Sequence, residues 1–426
     1  MKNELSRSIK TPGAILMGMG SIIGTGLFVS IAIATQVAGS AILFAVCIAA
    51  LLAIFNGLSS AQLAAAHPVS GGTYEYGYRF INPVFGFSAG WMFVIAKTAS
   101  AATAVLGSVG YLIYLFQIEV IPAAIPISGL IILALMTLLV SGGISRSNTV
   151  NKFIVSVTLL GLAVLVLAVY GTEGISTQPI IDSFQAFEIN SLFYASALMF
   201  VAYTGYGRIA TLGEEVSNPA KTIPRAIILC MMIIVGIYFL VAMVALQVLG
   251  AEAFGDTIDG EAAPLMVVAQ AVNVPGVGLI VSVAAITAML GVLLNLILGI
   301  SRVVLAMARR GDLPGRLSEI NQNQSPVYAV ITTGIIIGIF VLTGDVAFTW
   351  SFSAFTVLIY YSITNLSALF LPADDRLYPR IIPVFGLFGC LFLAFWVEPA
   401  IWISGLALLG AGLIWHFLAQ KVVSKI

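Results

Sequence analysis

Residues 18–28 read GMGSIIGTGLF, and residues 200–208 read FVAYTGYGR. Each glycine-rich run falls inside an apolar stretch long enough to cross a bilayer. Within hydrocarbon every backbone N–H and C=O needs a partner, so non-helical backbone persists only where it is buried in protein or lines a cavity. Glycine weakens a helix and permits strand-like or left-handed turns. Gly18, Gly20, Gly24 and Gly26 therefore mark a break in the first span, and Gly205 and Gly207 a break in the sixth. An interruption repeated five spans later fits a five-plus-five inverted repeat, with a ligand held at the two broken helices. Close packing through small residues is the competing account of either segment taken alone.

The surrounding chain points to lipid as the solvent. Of 426 residues, 60% are hydrophobic and 8% charged, with a mean hydropathy of +1.09. A soluble domain carries roughly a quarter charged residues, far more than this chain has to cover itself. Apolar runs of about 20 residues, the length that crosses ~30 Å of hydrocarbon, recur from end to end. They predict twelve helices, at 12–36, 40–66, 84–115, 122–143, 151–171, 188–212, 224–250, 264–308, 326–343, 348–371, 380–397 and 399–419. With the N-terminus inside, fifteen of the eighteen Lys and Arg fall on the inner side, and ten acidic residues lie on the outer side. That separation obeys the positive-inside rule, and one span too many or too few would scramble it. The expected protein is an all-α integral membrane protein, multi-pass in the plasma (inner) membrane, with both termini cytoplasmic.

Other classes fit poorly. The net charge of zero gives no reason to expect a nucleic-acid partner. Cys47, Cys230 and Cys390 lie in apolar spans, where small buried hydrophobes are expected. With only His67 and His416 and no ligand spacing, neither metal nor cofactor is expected. The long first apolar stretch argues against a cleavable signal peptide. No nucleophile–base pair appears within the spans, which disfavours an enzyme. No soluble domain or linker interrupts the pattern, so attention falls on the bundle interior, where transporters and channels work. Oligomeric state is not legible in the sequence.

Three motifs resemble the amino acid–polyamine–organocation (APC) superfamily of amino acid permeases. GSIIGTGLF at 20–28 is similar to that family's first-helix break. HPVSGGTYEYGYRFINPVFGFSAGW at 67–91 is similar to its cytoplasmic loop and the opening of helix three. FVAYTGYGRIATLGEEVSNPAKTIPRAI at 200–227 is similar to its helix-six break and the acidic, proline-closed loop that follows. SRVVLAMARRGDLP at 301–314 is a weaker echo. The resemblance implies a LeuT-like fold: a first repeat at 12–171, an inverted second at 188–371, and two added helices at 380–419. It also implies alternating access and an amino acid substrate. Ser21, Ile22, Gly24, Thr25 and Gly26 would present N–H groups to the substrate carboxylate, as a helix N-terminus does. Carbonyls near Phe200, Val201 and Thr204 would accept its ammonium, with Tyr203 and Tyr206 lining the pocket, unless these two tyrosines are ordinary bundle packing.

The chain departs from the family where a driving ion is coupled. Some proton-coupled members carry a lysine in helix five; the corresponding position here is Thr158. Sodium-coupled relatives use hydroxyl pairs on helix eight, where this chain has Leu290 and Gly291. Three cations stand in the hydrocarbon region: Lys97, Arg208 and Arg302. A central charge costs at least ~2.5–3.5 kcal/mol, so each needs a partner or a wet cavity. Arg302 is close enough to the inner surface to snorkel. Lys97, about thirteen residues into the third span, is too deep for that. It either replaces the helix-five lysine and titrates during transport, or is a fixed cation bonded to carbonyls. Arg208 disfavours cationic substrates; it would contact an acidic substrate side chain or pair with Glu214 or Glu215 at an inner gate. Asn295 and Asn365 are expected to bond across helices. The expected function is secondary active amino acid transport, as proton-coupled symport with neutral substrates favoured. The competing arrangements are an amino acid exchanger, a channel and a non-transporting sensor.

Overall fold

The computed structural model describes residues 9–68, 71–118, 124–142, 148–172, 188–210, 216–259, 262–321 and 325–423. The only β pairing among them is an isolated parallel bridge between Ile9 and Val216. The helices follow the apolar runs. They are α1 (Thr11–Ile22), α2 (Thr25–Phe28), α3 (Ser30–Ala38), α4 (Ile42–Ala66), α5 (Thr73–Phe80), α6 (Pro83–Phe116), α7 (Ala124–Ser141), α8 (Asn148–Tyr170) and α9 (Ile189–Tyr203). There follow α10 (Gly207–Ala210), α11 (Pro219–Leu249), α12 (Ala251–Asp256), α13 (Pro264–Ala271), α14 (Val277–Arg310), α15 (Val327–Val341), α16 (Val346–Leu369), α17 (Ile381–Ala394) and α18 (Pro399–Val423).

Among the described residues, eight stretches are helical, long and apolar enough to cross a membrane, and α15 and α17 are shorter apolar helices. The two expected breaks explain much of the difference from twelve. The first span is divided into α1, α2 and α3, and the sixth into α9 and α10, with a 3₁₀ turn at Thr204–Tyr206. The stretch at 264–308, expected as a span with a lead-in, is divided into α13 and α14. Asn273 (φ 56°) and Gly276 (φ 83°) adopt left-handed backbone between α13 and α14, which ends the first helix and starts the second in a new direction.

Helix starts are local in origin. Asn82 accepts the Phe85 N–H at 3.1 Å before Pro83 opens α6, and Asp345 accepts the Phe348 N–H at 2.9 Å ahead of α16. Burial then sorts the helices. In α16, 89% of the most apolar 18-residue window is buried and in α6 78%, against 17% in α7 and 22% in α18. A helix apolar all round and buried is central, so α6 and α16 form the middle of the bundle, while α7 and α18 turn most of their surface outward. α6 packs most extensively against α16 and α14, and α4 against α11, α9 and α17.

Polar groups tie the bundle across helices. Ser100 and Ser353 lie 2.6 Å apart and Thr103 and Thr349 2.8 Å apart, joining α6 to α16. Asn365 donates to Asn56 Oδ1, and Asn295 donates to Ser21 Oγ at 3.3 Å, so both mid-span amides bond across helices. Arg302 is exposed on α14. At the end carrying Arg309 and Arg310, the buried Asp312 carboxylate gathers three elements. Tyr74 and Tyr78 of α5 each donate to its Oδ2 at 2.7 Å, and His416 Nδ1 of α18 lies 3.2 Å from its Oδ1. Trp415 donates to the Asp312 carbonyl at 2.8 Å. Arg310 covers the Tyr78 ring at 4.1 Å and pairs with Glu75 at 2.6 Å.

Candidate functional site

The first helix loses its geometry where the glycines stand. α1 stops at Ile22; Ile23 (φ −76°, ψ 104°) is extended, and Gly24 precedes the single turn of α2. Val29 interrupts the chain again before α3. Helix ends leave backbone groups without intrahelical partners: carbonyls at the C-terminus of α1, N–H groups at the start of α2. Ser21 and Ile22 lie on the carbonyl side of this break, while Gly24, Thr25 and Gly26 lie on the N–H side. The five residues expected to present N–H groups are thus divided between the two ends. Thr25 Oγ1 is buried and has no hydrogen-bond partner among the described residues.

The sixth helix changes differently. It tightens into the 3₁₀ turn rather than running out into extended backbone. The Thr204 N–H and Thr204 Oγ1 both donate to Val201 O, the latter at 2.7 Å. Thr204 O accepts from Tyr361 Oη at 3.2 Å. The rings of Phe200 and Tyr206 lie 5.7 and 5.5 Å from that of Tyr361, and Tyr203 packs on Tyr238 at 5.1 Å. Phe200, Tyr203 and Tyr206 are all fully buried.

The two breaks touch. A Cβ on Gly205 would fall onto the Ser21 carbonyl, and one on Gly26 would stand 2.8 Å from Ala202 Cβ and 2.7 Å from Tyr238 Oη. Glycine is needed at both positions because any side chain would hold the helices apart. Tyr238 of α11 spans the junction: its hydroxyl lies 3.1 Å from both Ile22 O and Ala202 O, one carbonyl from each broken helix.

Lys97 enters the same junction. It is 8% exposed on α6, and its Nζ donates to Thr204 Oγ1 at 2.8 Å. The ion pairs formed among the described residues do not involve it. Thr158 is elsewhere: its hydroxyl turns back to Ile154 O on its own helix at 2.8 Å. Arg208 is half-buried in α10, just past the 3₁₀ turn. Glu214 and Glu215, its expected partners, lie outside the described residues.

Tyr238, Tyr361 and Tyr111 were not legible as site residues in the sequence. Tyr111 Oη donates to Phe28 O at 3.0 Å and accepts the Leu265 N–H at 3.1 Å, joining α2, beyond the break in the first helix, to α13. The available signal was chemical: a tyrosine deep in an apolar span carries a hydroxyl that must find a partner, and an interrupted helix supplies free carbonyls.

The chain matches the family model described as amino acid permease over residues 13–423. It is 39% identical over 414 residues to an uncharacterized transporter of Mycobacterium tuberculosis, covering 96% of this chain and 90% of that protein. It is 26% identical over 455 residues to a branched-chain amino acid permease of Bacillus subtilis, covering 100% of this chain and 95% of the relative. A methylthioribose transporter of the same organism is 26% identical over 443 residues, with 98% and 94% covered.

Proposed function

Because the chain belongs to the amino acid permease family, we propose that it moves amino acids across the membrane by alternating access around its two broken helices. It is a multi-pass membrane transporter rather than an enzyme. The observation that carries the reading is the junction itself, where Tyr238 reaches one carbonyl of each broken helix. Two interrupted helices meeting at mid-bundle are how a transporter offers backbone donors and acceptors to a small polar solute inside hydrocarbon.

In this reading the apolar segments make twelve spans in a LeuT-like arrangement, with repeats at 12–171 and 188–371 and both termini cytoplasmic in the plasma membrane. The N–H side of the helix-one break, at Gly24, Thr25 and Gly26, takes the substrate carboxylate. Ser21 and Ile22 border it on the other side. The carbonyl end of α9, at Phe200, Val201 and Thr204, takes the ammonium, because a helix C-terminus carries partial negative charge. Tyr203 and Tyr206 bound the side-chain space. Lys97 and Arg208 flank the junction and repel a cationic side chain, so neutral amino acids are favoured, in keeping with a relative named as a branched-chain permease.

Transport is proton-coupled symport. With Thr158 in place of the helix-five lysine, Lys97 is the titrating group, and Arg208 with Glu215 forms the inner gate. Uptake of labelled leucine into proteoliposomes tests this, run with and without a pH gradient and in competition with glutamate and arginine. Leucine accumulation driven by an acidic exterior is expected. Strong arginine transport would overturn the charge argument. Uptake that requires preloaded amino acid and ignores the gradient would make the protein an exchanger. Lys97→Met with unaltered uptake and pH dependence would remove Lys97 from coupling.

A further inference from the structure

Lys97, Thr204 and Val201 form a directed chain. An ammonium has three N–H donors and no acceptor, so a charged Lys97 obliges Thr204 Oγ1 to accept. The Nζ–Oγ1 distance is 2.8 Å. The hydroxyl proton is then free to point the other way, and it donates to Val201 O at 2.7 Å. That bond caps the end of α9 at the first residue of the 3₁₀ turn. Neutral Lys97 has a lone pair. It can accept the Thr204 O–H, which turns the hydroxyl away from Val201 and leaves that carbonyl held by the Thr204 N–H alone. From this we infer that Thr204 is the positioning residue that converts the charge on Lys97 into the backbone state of helix six. The charged form locks the tight 3₁₀ turn described above; the neutral form releases it. The inference rests on the proton-coupled transport reading and identifies the atom through which the proton acts.

The surroundings leave that atom in control. Near this level of α6 stand the phenols Tyr206 in the turn itself and Tyr360 and Tyr361 on α16, and half-buried Arg208 of α10, a guanidinium whose charge is fixed. Tyr361 holds Thr204 O, not Oγ1, so it steadies the turn without competing for the hydroxyl. The charged and imidazole groups on the other elements packed against α6 are remote or turned away. Glu75 and Arg79 of α5, Arg309 and Arg310 of α14, and His416 of α18 belong to the far end. His416 stacks on Phe87, ten residues from Lys97, roughly 15 Å along the helix axis. Arg302 is exposed on α14. Tyr328 of α15 is exposed as well.

The test compares Thr204→Val and Thr204→Ser by leucine uptake into proteoliposomes between about pH 5.5 and 8. Wild type and Thr204→Ser, which keeps the hydroxyl, are expected to vary by about tenfold or more over that range, and Thr204→Val by about twofold or less. Lys97→Arg keeps a donor that cannot deprotonate and fixes the lock closed; Lys97→Met leaves it open. Both are expected to give flat pH profiles. Thr204→Val with the wild-type profile overturns the inference. So does a uniform loss of uptake in both Thr204 variants with the shape of the profile unaltered, because the hydroxyl would then be purely structural. The failures are separable. A wild type that takes up leucine without pH dependence overturns the coupling reading. A wild type that takes up none of leucine, glutamate or arginine overturns the transport reading itself.

Discussion

The junction of the broken helices and the Asp312 cluster are both buried polar networks, yet they are made of different bonds. At the junction, neutral hydroxyls of Tyr238, Tyr361 and Thr204 meet backbone carbonyls, and the cation Lys97 meets a hydroxyl rather than a carboxylate. At the far end a carboxylate receives two phenols and faces an imidazole, with an arginine stacked over the phenol rings. Hydrogen bonds to an ionised group are roughly twice as strong as neutral ones. The cluster joins α5, α14 and α18 with bonds that resist exchange. The junction joins α1, α6, α9, α11 and α16 with bonds that a ligand or a proton can replace one at a time. The contrast separates a part suited to rearrange from a part suited to hold.

Four experiments break or sharpen that contrast. The largest effect belongs to Asp312→Ala, which strands the groups that face its carboxylate on α5 and α18. A loss of about 3 kcal/mol is expected, read as a lower melting temperature in detergent, with the KM of the surviving protein near that of wild type. Next is Gly205→Ala, whose Cβ meets the Ser21 carbonyl. Overpacking of this kind costs about 1–3 kcal/mol, so uptake should fall about 10- to 100-fold while the cluster, probed by Trp415 fluorescence, stays formed. Tyr238→Phe removes the shared hydroxyl and should cost about 1 kcal/mol, a roughly fivefold change in uptake with little change in melting temperature. The smallest effect is expected from Glu75→Gln, because its partner Arg310 is 39% exposed and exposed pairs contribute about 0–1 kcal/mol. A Glu75→Gln variant as unstable as Asp312→Ala would show that the strength of the cluster lies in its rim.

The phenols of the cluster add a pH test. Tyr74 and Tyr78 have pKa values pushed above the ordinary phenol range, first by burial and then by the Asp312 carboxylate beside them. The neutral form is therefore the one the folded protein favours. Its contribution is complete below the ordinary phenol pKa of about 10 and is lost as pH rises beyond it. The difference in melting temperature between wild type and Tyr78→Phe should be constant up to about pH 9.5 and shrink above it.

The breaks were legible in the sequence because their cause is local: Gly24, Gly26 and Gly205 stand in the chain where the helices are interrupted or touch. Lys97 was legible as a cation too deep to reach water. Its partner was not, because the rotation of α6 against the sixth helix decides whether Lys97 meets Thr204, a carbonyl or a carboxylate. Tyr238 and Tyr361 were missed for a related reason. In an apolar span a tyrosine reads as one more large side chain until a free carbonyl lies opposite its hydroxyl. The stretch at 264–308 reads as a span with a lead-in, but the turn that divides α13 from α14 at Asn273 and Gly276 does not show in hydropathy, because an average over a long window runs straight across a short turn. Asp312 lies in a polar stretch that reads as loop, and its partners stand 238, 234 and 104 residues away.

The bridge between Ile9 and Val216 has a mechanical consequence. The Ser217 N–H donates to Ile9 O at 3.0 Å, and Ser217 Oγ lies 3.2 Å from the same oxygen. The chain entering α1 and the chain after α10 are thereby stitched together, with the length of α1 between the stitch and the first break. Hinges joined at their free ends do not swing independently. The two half-helices on that side of the junction are bound to tilt as one lever, with the interrupted backbone as their common axle.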